Sequence, residues 1–231
     1  MITFDQVTKI YPAYKNKTET VVLDEVSFQV KKGELVSVVG ASGAGKTTLI
    51  KLLLGEEGVT EGDIIFDGTS LSDIPKRKFY KIRRRMGVIF QDYKLLTSRT
   101  VYENVSYGLK VIGAPAEEIK RDVPELLEVV GLSQQAEQFP DQLSGGEKQR
   151  AAIARALIHD PDVILADEPT GDLDPYHSRK IVDLLKKINE TGTTVLLATH
   201  DKDIVDYLRE RVLTLRDKEI ISDKKEGGFR L

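Results

Sequence analysis

Residues 34–54 read ELVSVVGASGAGKTTLIKLLL, and this stretch decides the fold class. The apolar run from Glu34 to Val39 predicts a short buried strand, and the helical pattern from Lys46 to Leu54 stops at Gly55. The residues that join them, Gly40 to Thr47, match the phosphate-binding pattern G-x-x-x-x-G-K-[ST] in the strand–loop–helix setting that it requires. The stretch therefore predicts an α/β domain that binds phosphate where a strand ends and a helix begins.

The predicted phosphate loop would hold phosphate oxygens mainly with its main chain. Glycines let N–H groups approach an anion without a side chain in the way, and the helix that follows adds the positive end of its dipole. Lys46 would neutralise the β- and γ-phosphates of a nucleotide, and the Thr47 hydroxyl would bind Mg²⁺. The residues predicted to contact the nucleotide here are Gly40, Ala41, Ser42, Gly43, Ala44, Gly45, Lys46, Thr47 and Thr48.

Two adjacent carboxylates follow a second apolar run. Val163 to Glu168 read VILADE, and a buried strand cannot hold two charges in its core at a tolerable cost. Asp167 and Glu168 are therefore expected at the C-terminal tip of the strand, where α/β sheets bind ligands. Asp167 suits coordination of Mg²⁺ through water, and Glu168 suits a general base that polarises the attacking water.

Two more polar residues follow or end predicted strands. His200 follows the apolar run Thr193 to Thr199 and could hydrogen-bond the γ-phosphate or hold the attacking water. Gln91 also ends a strand, and it can offer its side-chain carbonyl to Mg²⁺ or to water. His159 and His177 have no such setting and are expected to be surface or packing residues.

A second glycine-rich helix start lies at Leu143 to Glu147, which read LSGGE. Ser144 could cap this helix together with Glu147, three residues on, as in a capping box. Gly145 and Gly146 lower helix propensity by up to about 1 kcal/mol each, so their use is a close approach of the main chain to an anion. Because the phosphate loop already holds the nucleotide, the best explanation is a head-to-tail dimer that closes over the γ-phosphate from the other side.

The composition excludes several classes of protein. With 34 basic and 37 acidic side chains in 231 residues, the net charge is -3, and nothing global indicates a nucleic-acid partner. The absence of cysteine excludes disulfides, thiol catalysis and cysteine-based zinc sites. The N-terminus lacks the profile of a signal peptide, and no apolar run reaches the roughly 20 residues that span a bilayer. We therefore expect a cytoplasmic protein whose membrane role, if any, comes through a partner.

The order of the predicted elements indicates one domain over residues 1–231 with a helical insertion. Alternating runs at Ile2–Tyr11 and Val21–Val30 predict strands near the N-terminus. From about residue 92 to 160 the pattern is helical with few strand signals, and the α/β rhythm then returns. The basic run from Lys76 to Arg85 predicts a helix, whose charges form either a solvated face or a surface attracted to an anionic membrane.

These motifs, in this order and at this spacing, resemble those of ABC-type ATPase subunits over essentially the whole chain. The resemblance rests on Gly40–Thr47, Gln91, Leu143–Glu147, Val163–Glu168, Gly171–Asp174 and His200. It implies ATP and Mg²⁺ as cofactors, and a RecA-like parallel-sheet core with an N-terminal antiparallel β subdomain and an α-helical subdomain. It further implies that Ser144 and Gly146 contact the γ-phosphate held by a second copy and that Asp174 communicates across the dimer interface. Tyr11 would stack on adenine, although a packing tyrosine at a strand end is the other interpretation.

A narrower resemblance lies in residues 83–96, RRRMGVIFQDYKLL, and 99–105, RTVYENV. These stretches are similar to the cell-division branch of the ABC family, and they imply an FtsX-like integral membrane protein as partner. ATP-driven motion would then be transmitted to extracytoplasmic cell-wall hydrolases, with the ATPase at the cytoplasmic face of the membrane. Gly171-Asp172 departs from the Gly-Asn that these relatives usually carry, and an acidic side chain there could alter the electrostatics of the dimer interface.

Other functions stay open at the level of the sequence. ATPase subunits of lipoprotein-release and macrolide-export transporters share Asp167–Thr170 and much else. A soluble ABC ATPase acting on nucleic acid fits less well, because the chain has neither a coiled-coil insert nor a second ATPase unit. A phosphotransferase would leave Leu143–Glu147 unexplained. Tyr93, Leu95 and Leu96 either form an exposed groove for a helix of the membrane partner or pack on the helical insertion.

Overall fold

The structure, a computed structural model, describes residues 1–13 and 18–225. Its elements in chain order are β1 (Ile2–Tyr11), β2 (Thr20–Val30), β3 (Leu35–Val39), α1 (Lys46–Leu53), β4 (Glu61–Phe66), β5 (Thr69–Ser70), α2 (Tyr80–Arg83), β6 (Met86–Ile89), α3 (Val101–Ile112), α4 (Ala116–Val129), α5 (Gly145–Leu157), β7 (Val163–Asp167), α6 (Pro175–Glu190), β8 (Thr194–Thr199), α7 (Lys202–Leu208), β9 (Arg211–Arg216) and β10 (Glu219–Lys224). The chain divides into two compact units. The first consists of Met1–Arg83 and Leu196–Leu231, and the second of Arg84–Val195, so the division falls inside β8.

The first unit contains an antiparallel sheet with the strand order β2-β1-β4-β5. Its longest pairing, β1 with β2, begins at Ile2 opposite Val30 and includes several shifts of register. Buried aromatic rings join the two strands, because Phe4 stacks on Phe28 with 4.5 Å between the ring centroids. This sheet confirms the predicted N-terminal antiparallel β subdomain.

The first unit also holds the strand that leads into the phosphate loop. β3 is buried along its whole length and lies between β9 and β8, in the order β10-β9-β3-β8. β3 and β9 are parallel, whereas β9 and β10 pair antiparallel. A strand buried on both faces is apolar throughout rather than alternating, which explains the continuous apolar run that precedes the loop.

The second unit combines two parallel strands with the helices α3 to α6. β6 pairs with β7 in parallel, with Met86 opposite Val163. Gly87 in β6 lets α5 come close, because a Cβ atom there would lie 2.3 Å from the carbonyl oxygen of Ala156. α5 therefore lies directly against β6.

The helices α3, α4 and α5 share an apolar core. Its buried side chains are Val101, Val105, Leu109, Ile119, Val123, Leu127, Val130, Leu132, Leu143, Ala151 and Ala154. Burial of each large aliphatic side chain stabilises the unit by about 1.5–3 kcal/mol relative to exposure. These helices lie within the range of about 92–160 that the sequence assigns to a helical insertion. The single domain over residues 1–231 stays a prediction.

The basic run is not the single helix that the sequence predicts. It forms a 3₁₀ turn at Lys76–Lys78 and one helical turn, α2. The arginines that follow make contacts of their own, Arg83 with the carbonyl of Leu54, Arg84 with that of Val111 and Arg85 with the carboxylate of Asp162. These three arginines therefore make hydrogen bonds or ion pairs within their own units. The other basic side chains of the run are exposed, namely Lys76, Arg77, Lys78 and Lys81.

Within residues 1–13 and 18–225, no helix is both long enough and apolar enough to span a membrane.

Candidate nucleotide site

The phosphate loop of the first unit joins β3 to α1. Gly43 and Gly45 have φ angles of 80° and 109°, in a region that other residues rarely adopt. A Cβ atom at Gly40 would lie 2.5 Å from the carbonyl oxygen of Leu215 in β9, so there is no room for a side chain. The shape of the main chain therefore requires glycine at these positions.

The start of α1 has no side-chain cap. Its N-cap residue, Gly45, makes no side-chain hydrogen bond, and its first turn contains no acidic residue. By contrast, side chains cap α3, α5, α6 and α7, namely Thr100, Ser144, Asp174 and Asp201. Uncapped N–H groups at a helix start, together with the helix dipole, favour an anion. The start of α1 is therefore suited to a phosphate group.

Lys46 places a buried positive charge at this loop. The residue is 6% exposed, and its Nζ atom donates hydrogen bonds to the carbonyls of Gly40 at 2.8 Å and Ala41 at 3.2 Å. Hydrogen bonds of this kind offset part of the cost of burying an ammonium group. Thr47 is exposed, whereas Thr48 is buried. The positive charge and the Thr47 side chain thus belong to the same short segment as the loop amides.

Tyr11, the residue predicted to stack on adenine, ends β1. Hydrogen bonds join its hydroxyl to Glu57 and Thr48, and the Nζ atom of Lys9 lies 4.9 Å from the centre of its ring. Burial, followed by the hydrogen bond to Glu57, raises the pKa of Tyr11. Lys9 and Glu57 are themselves 3.2 Å apart. The tyrosine thus has packing partners, and its stacking on adenine stays a prediction.

His200 lies directly after β8 and is exposed. The next residue, Asp201, starts α7 by accepting hydrogen bonds from the N–H groups of Asp203 at 2.9 Å and Ile204 at 3.2 Å. His200 therefore lies between the end of a buried strand and the N-cap of a helix, and both neighbours restrain its main chain. Tyr11, the phosphate loop and His200 all belong to the first unit.

The two predicted carboxylates lie at the end of β7 in the second unit. Asp167 is the last residue of the strand and is 8% exposed. Glu168 follows it, partly buried, with a left-handed φ of 48°. The turn that follows is closed by a hydrogen bond of 3.1 Å from the Gly171 N–H to the Glu168 carbonyl. A glutamate in this region of φ is held there by its surroundings, which is typical of functional sites.

Gln91 reaches the same turn. It follows β6, the parallel neighbour of β7, and a Cβ atom at Gly171 would lie 3.1 Å from the Nε2 atom of Gln91. The carboxyl ends of adjacent parallel strands meet at one edge of a sheet. The second unit thus brings Gln91 together with the turn that begins at Glu168.

The predicted capping box at the start of α5 is confirmed. The Ser144 hydroxyl accepts a hydrogen bond from the Glu147 N–H at 3.4 Å, and the Glu147 carboxylate accepts one from the Ser144 N–H at 2.9 Å. The Ser144 hydroxyl also donates to this carboxylate at 2.6 Å. The hydrogen bonds from Ser144, the hydroxyl first, lower the pKa of Glu147. Of the two glycines that follow the cap, Gly145 is partly buried and Gly146 is buried.

Asp174 lies close to this helix start through His177. Asp174 caps α6, and its carboxylate accepts from the N–H groups of Tyr176 and His177. A further hydrogen bond of 2.5 Å joins it to the His177 ring and is the main cause that lowers the pKa of Asp174. The same ring packs on Gly146, where a Cβ atom would lie 2.8 Å from it. His177, expected only as a surface or packing residue, thus connects Asp174 with the glycines of α5.

The Gln91 loop, defined as residues 91–99, connects β6 to α3 through a left-handed turn. Tyr93 and Lys94 have φ angles of 60° and 47°, and this region costs a non-glycine residue about 1–2 kcal/mol. Arg155 of α5 donates hydrogen bonds to the carbonyls of both residues, the one to Tyr93 at 2.8 Å. Hydrogen bonds of a charged group contribute about 1.5–3 kcal/mol each. Arg155 can therefore offset the cost of the turn.

The side chains of the Gln91 loop divide between packing and exposure. A Cβ atom at Gly145 would lie 3.4 Å from the Tyr93 hydroxyl, and burial followed by the charge of Asp172 raises the pKa of Tyr93. Leu95 packs against the helical core, whereas Leu96 is 39% exposed. The two interpretations of this segment therefore apply to different residues.

Asn104 and Arg155 are site residues that the sequence analysis missed. Asn104 is fully buried in α3, where its Oδ1 atom accepts from the Leu96 N–H at 2.7 Å and its Nδ2 atom donates to the carbonyls of Leu96 and Arg99 at 3.1 Å. It lies one helical turn from Val101, on the buried face. An amide on an otherwise apolar helix face was the signal available in the sequence.

Comparisons with known proteins show the family of the chain. A family model described as ABC transporter matches residues 23–171. The chain belongs to this family. It is 48% identical over 229 residues to the Cell division ATP-binding protein FtsE of Mycobacterium tuberculosis (strain ATCC 25618 / H37Rv), with 99% of this chain and 98% of the relative covered. It is 45% identical over 224 residues to FtsE of Bacillus subtilis (strain 168), with 97% of each chain covered.

A solved structure resembles the whole chain as well. It is the dimeric ATP-binding cassette MJ0796 in a post-hydrolysis state bound to ADP and Pi, with a TM-score of 0.89 and 37% sequence identity. The match covers 99% of this chain and 100% of the cassette. The predicted fold class and the resemblance to ABC-type ATPases and to FtsE are confirmed. The protein is an ATP-binding and ATP-hydrolysing ABC subunit.

We expect Ser144→Ala and Thr100→Ala to lower the free energy of unfolding by similar amounts, about 1 kcal/mol each, because each removes an N-cap. Thr100 forms with Glu103 the same kind of capping box at the start of α3. Urea unfolding at pH about 7 measures both losses. A loss at one cap and none at the other would contradict their equivalence.

The Ser144 cap also predicts a dependence on pH. The pKa of Glu147 is lowered from its ordinary value of 4.5 in the folded state. Its contribution to stability is therefore present above the unfolded pKa and is lost as the pH falls through the folded pKa. The difference in stability between the wild type and Ser144→Ala should shrink between pH about 5 and about 3. A constant difference over this range would exclude the Glu147 charge as a part of the cap.

Proposed function

We propose that this protein is the ATPase subunit of a membrane complex that acts in bacterial cell division. The observation that carries this proposal is the identity of 48% and 45% with proteins named Cell division ATP-binding protein FtsE, along nearly the full length of both chains. The subunit would dimerise on ATP and drive an FtsX-like integral membrane protein that regulates cell-wall hydrolases outside the membrane. We expect no nucleic acid as a partner.

The phosphate loop would bind the triphosphate of ATP. Its uncapped helix start and buried Lys46 offer main-chain donors and a positive charge to the phosphate oxygens. Positioning and neutralisation of charge supply most of the rate acceleration in phosphoryl transfer. The residues assigned to nucleotide binding are Tyr11, Gly40, Ala41, Ser42, Gly43, Ala44, Gly45, Lys46, Thr47, Thr48, Ser144, Gly145, Gly146 and Asp174.

A magnesium ion would suit the oxygen donors of three predicted ligands. Thr47, Gln91 and Asp167 would hold it with a hydroxyl, an amide carbonyl and a carboxylate, which are the hard ligands that Mg²⁺ prefers. Mg²⁺ would supply neutralisation of the charge on the β- and γ-phosphates. Residues 1–13 and 18–225 contain no group of three or more His, Cys, Asp or Glu side chains that could hold a metal alone. Phosphate oxygens and water would therefore complete the coordination.

Glu168 would act as the general base. Its carboxylate follows the buried strand β7, and its left-handed main chain fixes the direction in which the side chain leaves the strand. A general base contributes about 10²–10⁴-fold to the rate by accepting the proton of the attacking water. His200 and Gln91 would hold the γ-phosphate and the water in place.

The dimer would use the start of α5 as a second phosphate-binding element. Ser144 supplies an exposed polar cap beside the two glycines, and His177 connects Gly146 with Asp174. The solved cassette MJ0796 is dimeric. Two copies in head-to-tail orientation would complete each nucleotide site with the α5 start of the other copy.

The membrane partner would contact the Gln91 loop at the cytoplasmic face. Leu96 is the exposed apolar residue of that loop, whereas Tyr93 and Leu95 are partly buried. A partner on Leu96 would lie only a few residues from Gln91, so a change at the nucleotide could bias the surface that holds the partner. An ATPase subunit of a lipoprotein-release or macrolide-export transporter is the alternative with the same chemistry.

We expect Glu168→Gln to bind Mg·ATP with nearly unchanged affinity and to hydrolyse it at least about a hundredfold more slowly, because it removes the general base. Phosphate release measures turnover, and size-exclusion chromatography with Mg·ATP should show a stable dimer. Glu190→Gln, at the exposed end of α6, is the matched control. Turnover at the wild-type rate would refute the role of Glu168, and a strictly monomeric complex would refute the dimer.

The two capped helices separate a chemical role from a structural one. Ser144→Ala should lower the turnover number roughly tenfold or more, because it removes a donor to the γ-phosphate. Thr100→Ala, with a similar loss of stability, should stay within about twofold of the wild type. The assay is steady-state hydrolysis of Mg·ATP. Equal effects of both substitutions would reduce Ser144 to a helix cap.

Affinity purification from membranes distinguishes the division role from transport. We expect the tagged chain to co-purify with an integral protein of few spans and a large extracellular domain. Leu96→Ser should lower this recovery without changing ATP binding, because it removes an exposed apolar contact. Val129→Ser is the matched control, since Val129 is 73% exposed on α4. Recovery of a channel-like permease would favour the transporter, and full recovery with Leu96→Ser would remove this surface from the interface.

A further inference from the structure

We infer that Arg155 is a positioning residue that fixes the Gln91 loop to α5, the helix that begins with the Ser144 cap. Its effect on turnover rests on the proposed function. Its effect on the loop rests only on contacts within the second unit. Arg155 lies in the last turn of α5, and the Ser144 cap lies at the other end of the same helix. A single helix thus carries both the second glycine-rich start and the contact to the Gln91 loop.

The guanidinium of Arg155 holds two consecutive peptide groups. It donates to the Tyr93 carbonyl through one terminal nitrogen and to the Lys94 carbonyl through the other. Arg155 is partly buried, and this burial lowers its pKa. The fork of a guanidinium fixes two acceptors in one plane, which the single ammonium group of a lysine does not. The contact therefore sets the direction of the chain at Tyr93 and Lys94.

The left-handed turn explains why such a contact is needed. Tyr93 and Lys94 both carry side chains, and both have φ angles that glycine adopts without penalty and other residues do not. Strained main-chain conformations persist when the surrounding structure over-determines them. Arg155 is placed to do this at the two residues concerned.

Two further contacts restrain the loop, one to α5 and one to α3. The Tyr93 hydroxyl lies against Gly145, the first residue of α5. Downstream, Asn104 holds both main-chain groups of Leu96. The loop is thereby tied to α5 at Tyr93 and Lys94 and to α3 at Leu96. Gln91 lies two residues before Tyr93, so these contacts also restrain its position.

Loss of Arg155 should therefore affect the rate more than the binding of ATP. Without the two hydrogen bonds the turn can relax, and Gln91 would leave its place against Gly171. The phosphate loop belongs to the first unit and contains none of these residues. A misplaced catalytic-site residue lowers kcat, whereas KM follows the ground-state contacts to the nucleotide.

The test uses the full-length chain with Mg·ATP. Arg155→Met keeps the length of the side chain but removes the donors, and Arg155→Lys keeps the charge without the fork. We expect kcat to fall about tenfold to a hundredfold in Arg155→Met with KM within about twofold, and an intermediate kcat in Arg155→Lys. Arg121→Met is the matched control, because Arg121 is exposed on α4 and pairs with its neighbour Asp122.

Hydrogen exchange provides a readout that does not depend on turnover. Amides of residues 92–97 should exchange at least about tenfold faster in Arg155→Met than in the wild type, with the helix α4 unchanged. Lys94→Gly should restore part of both the protection and the kcat in the Arg155→Met background, because glycine adopts the left-handed turn freely. Lys94→Gly alone should change little, since the Lys94–Asp92 pair is exposed.

The outcomes separate this inference from the proposed function. Unchanged exchange over residues 92–97 in Arg155→Met, or no recovery with Lys94→Gly, would overturn the positioning role. Normal turnover of Glu168→Gln would instead overturn the proposed chemistry and leave the exchange result in force. If Arg155→Met does not fold, Arg155→Lys with and without Lys94→Gly decides the question by the same two measurements.

Discussion

The N–H groups of the first turn of a helix have no acceptor within the helix, and this constraint organises the protein. Most of its longer helices satisfy these groups with a side chain, as α6 does with Asp174. α1 begins instead at Gly45, with neither a cap nor an acidic residue in its first turn. The glycines of the loop, the buried Lys46 and the buried strand β3 all serve to present this helix start. A helix start without a side-chain cap or an acidic first turn favours a bound anion, in agreement with ATP binding.

α5 begins with the second glycine-rich helix start and connects it with the rest of its unit. Its first turn offers Ser144 and two glycines, its face lies on β6 at Gly87, and its last turn holds the Gln91 loop through Arg155. A rigid helix with contacts at both ends transmits a displacement along its length, because helices bend little over so short a distance. One helix therefore links the Ser144 cap with the Gln91 loop.

The sequence was most informative where function depends on local geometry. The strand–loop–helix at residues 34–54 and the capping box at Ser144 involve neighbours in the chain, so turn chemistry and hydrophobic pattern were sufficient to predict them. The ends of β7 and β8 were found because ionisable side chains are costly inside a buried strand and are expected where the strand ends. Family and fold followed from the order of these motifs.

The contacts that the sequence did not predict join distant parts of the chain. Arg155 donates hydrogen bonds to Tyr93 and Lys94, which lie about 60 residues earlier in the chain. The hydrophobic periodicity of a sequence cannot predict a contact at such a separation. His177 was set aside because its partner at Gly146 lies in another helix. The basic run was misread as one helix because charge pattern alone cannot show that Arg85 pairs with Asp162. α7 was missed because it is only seven residues long.

The absence of a side-chain cap at the start of α1 has a consequence for the stability of the protein in the cell. A ligand that binds only the native state stabilises it by RT ln(1 + [L]/Kd), which is about 2.7 kcal/mol at a hundredfold excess over Kd. A helix start that no side chain caps gains more from a bound anion than a capped one does, so the native state of this subunit depends more strongly on that term. Proteases act on the opened chain, so the empty form is expected to be degraded faster than the loaded form. The energy state of the cell would thereby set not only the activity of this ATPase but also its abundance.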